Sequence, residues 1–389
     1  MVALNSVEAK EVERQPSGDP EVDRVLGGGW VPGSALLLAG EPGIGKSTLL
    51  LQLAYNSTAA GRSTLYVAGE ESAGQIRLRA SRLGIELDTL LTRETDARSL
   101  VEYLLLEKPQ FVVVDSIQTL VAADDGVPGS VSQVRDSTAL LVQAAKEVGA
   151  VLVLIGHVTK QGSIAGPKTV EHMVDATLQL ESAAGYRVLR ALKNRFGAAG
   201  ELGVFEMTGG GMMPVANPSE AFLAQRPLGV AGSVVAIALE GQRPLLLEVQ
   251  ALTSKSPYSS PRRVVQGLDD RRVDVVLAVL ERRLDLPLSA LDVFVNVAGG
   301  LRITDPGMDL AVVVAVFSAV TNRPISERCA AVGEVGLAGE LRTVPQLERR
   351  LAEAGRAGFD ELITPRAARG KSGGFETLAQ ALGAMGGSS

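Results

Sequence analysis

The chain has 389 residues, of which 46% are hydrophobic and 21% charged, with a formal net charge of −6; this suits two soluble domains, each burying its own core. The single cysteine, Cys329, excludes an internal disulfide and a cysteine-built zinc site and suits a reducing cytoplasm. The acidic balance and the 4% aromatic content exclude wholesale coating of nucleic acid and base-stacking aromatic platforms, while leaving room for a local basic channel.

Residues 1–17, polar and mixed in charge, read as a flexible lead-in rather than a signal peptide. No apolar run approaches the roughly 18 residues of a bilayer span. A first domain is expected over residues 18–216. Ser34–Gly40 (SALLLAG) predicts a strand, and the stretch from Ser47 predicts an amphipathic helix. Apolar runs beginning at Thr64, Phe111 and Ala150 follow at α/β spacing, separated by helical stretches. Continuous Val, Leu and Ile runs mark strands buried on both faces, hence a parallel sheet covered by helices. Residues 176–197 predict two strands joined at Ala184–Gly185, an edge hairpin. Thr208–Glu220 is rich in Gly and Pro, breaks the periodicity and marks the boundary to a second, α+β domain over residues 217–389. In that domain residues 233–253 read as a strand hairpin, while RRVDVVLAVLERR, MDLAVVVAVFSAVTN and PQLERRLAEAGRAGF read as helices.

Chemistry concentrates in the first domain. Gly40, Glu41, Pro42, Gly43, Ile44, Gly45, Lys46 and Ser47, with Thr48 after them, form a P-loop between strand and helix. Its glycines turn backbone N–H groups inward around phosphates, and the helix N-terminus adds positive potential. Lys46 is expected to reach the β- and γ-phosphates and Ser47 to hold Mg²⁺. Asp115 closes VVVD at a strand's C-terminal end, where open α/β sheets bind ligands, and is the candidate to orient the Mg²⁺ through water. Glu70 and Glu71 end the strand from Thr64, expected beside the P-loop strand. Glu70 is the candidate base for the attacking water, with Glu71 assisting; an acidic pair favouring the following helix's N-terminus is the other reading. His157 ends the run from Ala150, as a γ-phosphate sensor or a plain polar strand end. Lys193 and Arg195 in KNRFG are two cations on one strand face, suited to polyphosphate or a nucleic-acid backbone, or simply solvated. Thr253–Arg263 and the following DDRR form a basic, Ser- and Pro-rich loop, as a DNA contact or a solvated surface.

With these residues in hand, the chain resembles the bacterial RadA (Sms) family of DNA-recombination ATPases. The resemblance is carried by LGGGWVPGSALLLAGEPGIGKSTLLLQ, YVAGEES, VVVDSIQT, GSVSQVRDS, GHVTKQGSIAGPKTVEHMVD and above all KNRFG. It implies an α/β RecA-like ATPase domain followed by an α+β Lon-protease-like domain of the ribosomal S5 domain 2-like kind. It further implies a homo-hexameric ring acting on single-stranded and branched DNA beside the RecA recombinase, using ATP and Mg²⁺ for branch migration, without a membrane role. Lys193 and Arg195 then resemble the element that reaches a neighbouring subunit's ATP and couples to DNA. The segments Asp124–Arg135 and Lys160–His172 resemble DNA-facing loops, with Arg135, Lys160 and Lys168 as candidate phosphate contacts.

Two departures stand out. The four-cysteine zinc finger usual at the family's N-terminus has no counterpart here, so no zinc is expected. Where the Lon segments carry a catalytic serine and lysine, this chain has Gly307-Met-Asp309 and the neighbourhood of Glu348. A Ser–Lys dyad needs a hydroxyl and an amine in reach of each other, so the second domain is expected to be a proteolytically inactive scaffold. An ATP-driven regulatory switch or chaperone-like ring without DNA translocation is the alternative reading.

Overall fold

The computed structural model describes residues 13–86, 89–122, 127–157, 168–366 and 374–386. By its internal contacts the chain divides after Pro214, with the hairpin tip Ala183–Gly185 grouped with the second unit.

The first unit runs α1 (Pro20–Leu26), β1 (Ala35–Gly40), α2 (Lys46–Ala59), β2 (Thr64–Ala68), α3 (Ala73–Arg82), β3 (Leu90–Thr92), α4 (Ala97–Glu107), β4 (Phe111–Asp115), α5 (Val131–Val148), β5 (Val151–His157), α6 (Lys168–Met173), β6 (Ala176–Ala183), β7 (Tyr186–Asn194), β8 (Leu202–Thr208) and β9 (Gly211–Pro214). Its strands form one sheet in the order β3-β2-β4-β5-β1-β6-β7-β8-β9. Pairing from β3 to β6 is parallel; β7, β8 and β9 continue it as an antiparallel meander.

The buried strand runs serve two cores at once. On β1, Leu36 and Leu38 face the core beneath α1, α2 and α3, whereas Ala35 and Leu37 face that beneath α4 and α5. β4 and β5 alternate the same way, Phe111 and Val113 against Val112 and Val114. This is the period-2 signature of a strand covered on both sides. Local chemistry starts the helices. Asp19 caps α1 by accepting the N–H groups of Glu21 and Val22, Pro20 supplies its first turn, and Gly27 closes it in the left-handed region. Ser72 and Gln75 form a capping box on α3.

The topology departs from the sequence expectations in several places. The lead-in is tied down at its described end: Gln15 exchanges two backbone hydrogen bonds with Trp30, and Ser17 is buried. β2 is not beside the P-loop strand, because β4 and β5 lie between them; its neighbour is instead the strand that carries Asp115. The β6–β7 hairpin is not an edge, because β8 and β9 extend the sheet beyond it. Nor is the whole Gly-rich run a linker. Thr208–Pro214 is the β8–β9 turn and strand, and Gln52 of α2 binds the β9 backbone at two points, donating to Met212 O at 3.2 Å and accepting from Met212 N at 2.9 Å.

The second unit comprises α7 (Pro218–Leu223), β10 (Ser233–Glu240), β11 (Arg243–Lys255), β12 (Arg263–Gln266), α8 (Asp270–Leu284), β13 (Leu291–Val297), α9 (Asp309–Thr321), β14 (Cys329–Ala331), β15 (Glu334–Val335), β16 (Leu341–Arg342), α10 (Leu347–Arg356), β17 (Glu361–Ile363) and α11 (Leu378–Gly386). Its main sheet has the mixed order β12-β13-β11-β10-β14-β17. α9 packs on β10 and β11 and is buried nearly all round, from Leu310 through Val316. Burial pushes the Cys329 thiol on β14 up to about 12. Because the thiolate is the nucleophile, native protein at pH 8 is expected to resist iodoacetamide and to be alkylated at Cys329 only as this unit unfolds in urea. Prompt labelling of native protein, followed by mass spectrometry, would contradict that packing.

The charged groups of the basic loop and of the segments expected to lack a serine–lysine dyad are internally paired. Asp309 is 3% exposed, is bound by Arg272 and accepts the Val335 N–H at 3.0 Å. Burial raises its pKa, against the lowering effect of Arg272. Arg350, two residues beyond Glu348, is fully buried against Asp305. Of the basic loop, Arg262 pairs with buried Asp292 at 3.0 Å, and Arg263 donates to the Leu288 and Leu291 carbonyls. Arg262, Arg263 and Arg272 are therefore tied to carboxylates and carbonyls of the same unit that need donors, while Arg262 and Arg272 keep 58% and 39% of their side chains exposed.

Candidate nucleotide site

The P-loop leaves β1 at Gly40 and enters α2 at Lys46. Gly43 and Gly45 sit at φ 76° and 116°, in the left-handed region open to glycine. At Gly45 a Cβ would also lie 2.6 Å from Met207 Cε. Lys46 is 4% exposed, and its Nζ donates to Gly40 O and Glu41 O, each at 2.9 Å. Burial lowers its pKa, while Asp115 and Glu70 pull it back up. Glu41, Pro42 and Gly43 line the open face of the loop, Ile44 is buried beneath it, and Ser47 and Thr48 are half-buried in the first turn of α2. Arg187, on β7, donates from Nε to Ile44 O at 2.9 Å and so braces the loop from outside. The sequence carries no signal for that contact, which depends on β6 and β7 extending the sheet past β1.

Asp115 ends β4 and is 7% exposed. It receives hydrogen bonds from the Tyr66 hydroxyl at 2.8 Å and from Ser47. Burial raises its pKa, and these two donors oppose the rise. Burial first and Asp115 second push the Tyr66 phenol well above its ordinary value, so it keeps its proton. Glu70 lies just past β2, where it accepts a hydrogen bond from Ser116 Oγ. The preceding Gly69 donates to Asp115 O at 2.7 Å, and a Cβ there would fall 1.8 Å from Thr119 Oγ1. Only glycine lets the end of β2 approach β4 this closely. Glu71 does not join this group; Arg79 of α3 holds it at 2.5 Å.

Lys46, Ser47, Glu70 and Asp115 therefore converge, and His157 ends β5 in register with Gly40. A hydroxyl and a carboxylate beside a glycine-rich loop at a helix N-terminus fit a hard divalent cation carrying phosphates. Lys193 and Arg195 do not converge with them. Lys193 Nζ donates to Glu171 O at 2.6 Å and Val174 O at 2.7 Å, and Arg195 pairs with Asp175 at 3.2 Å. Asp175 also accepts the Ala35 N–H at 3.0 Å, at the start of β1. The pair therefore sits at the opposite end of the sheet from its own P-loop, about 17 Å away along β1. Arg195 lies past the end of β7 rather than on a shared strand face with Lys193. Arg135 is exposed on α5 with Asp136 beside it at 2.9 Å. Lys168 begins α6, and Lys160 falls outside the described residues. Among the described residues no helix is long and apolar enough to cross a membrane.

Fold and site together define a RecA-like P-loop ATPase with an appended α+β domain. Residues 4–163 match the AAA domain family, and residues 261–368 match the family described as subunit ChlI of Mg-chelatase. The chain is 46% identical over 368 residues to the DNA repair protein RadA of Bacillus subtilis (strain 168), covering 94% of this chain and 80% of that protein. It is 46% identical over 370 residues to RadA of Mycobacterium tuberculosis (94% and 77%), and 43% identical over 391 residues to RadA of Listeria monocytogenes (97% and 86%). Among solved structures, the KaiC-like protein PH0186 of Pyrococcus horikoshii OT3 aligns with TM-score 0.45 and 20% identity over 52% of this chain and 99% of that one. The chain belongs to the RadA family of DNA repair proteins.

Proposed function

We propose that this protein is a DNA-stimulated ATPase of homologous recombination and repair, working as a homo-hexameric ring that drives branch migration beside the RecA recombinase. ATP with Mg²⁺ is its fuel. Lys46 and the loop amides bind the phosphates, Ser47 and Asp115 hold the metal and its water, and Glu70 polarises the attacking water while Ser116 steadies its carboxylate. The second domain, Lon-protease-like by resemblance, serves as a scaffold: the loop at Gly307–Asp309 has no hydroxyl nucleophile, and its Asp309 is ion-paired with Arg272.

The observation that carries this reading is the placement of Lys193 and Arg195. Two cations held at the end of the sheet away from their own P-loop serve ATP hydrolysis best by completing a neighbour's site, as in a ring. Arg195, 53% exposed at its side chain, has only a partial hold on Asp175. The test is ATP hydrolysis with and without single-stranded DNA in the intact protein, Lys193→Ala and Arg195→Ala, with sizing in the presence of nucleotide. Both variants are expected to lose the stimulation by DNA, and the intact protein to elute as a hexamer. Unchanged rates in both variants would overturn the contact between subunits. Hydrolysis indifferent to DNA in the intact protein would favour the regulatory-switch alternative.

A further inference from the structure

We propose that Tyr66 is a positioning residue for ATP hydrolysis, its phenol fixing the orientation in which the Asp115 carboxylate faces Ser47. The inference rests on the reading of Asp115 as the residue that holds the metal-bound water.

A buried central strand needs only apolar bulk. On β2 the neighbours Leu65, Val67 and Ala68 supply that, and phenylalanine at 66 would serve the packing equally. The hydroxyl has a separate use. β2 and β4 are adjacent and parallel, with Tyr66 opposite Val113 and Ala68 opposite Asp115. Tyr66 and Asp115 are thus diagonal neighbours, and since side chains two apart on a strand share a face, both point to the same side. Only a long side chain spans that diagonal. Tyr66 does, ending 2.8 Å from Asp115 Oδ2.

The carboxylate needs such a partner. Rotation about the terminal torsion of an aspartate is soft, and a metal ligand or its water-holder works only in one rotation. On the surface solvent would average the orientation, but Asp115 is almost wholly buried. Ser47 engages the carboxylate too, yet Ser47 is itself assigned to the metal. Tyr66 is the second donor, its ring held in place by the core around it. A hydrogen-bond donor that fixes a carboxylate from outside the metal's own ligands is the usual way such groups are oriented.

The test uses the full chain and Tyr66→Phe, which deletes one oxygen and keeps the ring. A fluorescent ATP analogue is titrated in Mg²⁺ and in EDTA, and the ratio of the two affinities is taken. This ratio is a property of folded molecules, so a partly unfolded preparation leaves it unmoved. Tyr66→Phe is expected to cut the ratio, and the turnover at saturating ATP, by about 10-fold or more, with little change in EDTA affinity. Asp115→Asn should cut the ratio as well, and the double variant should fall no further than Asp115→Asn alone, because Tyr66 acts through that carboxylate. A Tyr66→Phe ratio and turnover equal to those of the intact protein would overturn the proposal, as would additive losses in the double variant. If Asp115→Asn alone left both quantities unchanged, the failure would lie with the reading of Asp115.

Discussion

Lys46→Ala is expected to reduce ATP turnover by roughly 10³-fold, the scale of removing a preorganised charge donor from a transition state. The ammonium is 4% exposed and held 2.9 Å from two carbonyls of its own loop, so its position is set before any phosphate arrives. On the proposed mechanism that fixed placement is the source of the effect, since a preorganised donor needs little reorganisation. Nucleotide affinity should fall with it, since on the proposed mechanism Lys46 also holds the phosphates of bound ATP. Glu70→Gln is the informative contrast. On the proposed mechanism it removes a base without removing a phosphate contact, so turnover should fall about 10²-fold or more with affinity kept. Steady-state hydrolysis together with equilibrium binding of an ATP analogue separates the two. A Lys46→Ala enzyme that still hydrolyses ATP near the normal rate would remove the P-loop from the mechanism.

Arg350→Ala is expected to cost the second unit about 3–5 kcal/mol, the range for leaving one member of a buried ion pair without its partner. The guanidinium is 1% exposed and serves three structural points: both oxygens of Asp305, Ile237 O at 2.9 Å and Pro345 O at 3.0 Å. Asp305 in turn accepts the Leu239 N–H at 2.9 Å and the Gly307 N–H at 3.0 Å. Truncating Arg350 strands the Asp305 carboxylate and takes a donor from the buried Ile237 carbonyl. Calorimetry should show the second unit's transition fall, while the transition raised by an ATP analogue stays in place. Replacing both partners, Arg350→Met with Asp305→Leu, should cost less than Arg350→Ala alone, because no charge is then stranded. Equal stability of Arg350→Ala and the intact protein would exclude this hub.

How much of this was legible from the chain depends on the range of the interaction. The P-loop could be read because its glycines answer local backbone demands at fixed offsets. The parallel strands could be read because burial on both faces writes unbroken Val and Leu runs. α8, α9 and α10 carried their own periodicity or apolar length. Strand order was not legible, and the error over β2 followed from it: nothing near Thr64 states which strand will lie alongside. Tyr66, Arg187 and Gln52 went unnoticed for the same reason, since each acts on a group 49, 143 or 160 positions away. Lys193 and Arg195 were found by their spacing, but their location at the far end of the sheet emerged only from the β6–β7 pairing with β1.

α9 sets a condition on how this protein is made. Val312, Val313, Val314, Val316 and Val320 give it a composition better suited to a strand, with stiff side chains that lower its intrinsic helix propensity. Such a segment holds helical turns only where a finished surface receives it. Until then it has the apolar, uncharged, β-prone character of an aggregation seed. In this chain β10, β11 and β13 all precede α9, so during N-to-C synthesis these receiving strands leave the ribosome before the helix does. A circular permutation that placed α9 ahead of those strands would keep every contact of the native fold, yet release the helix with nowhere to go.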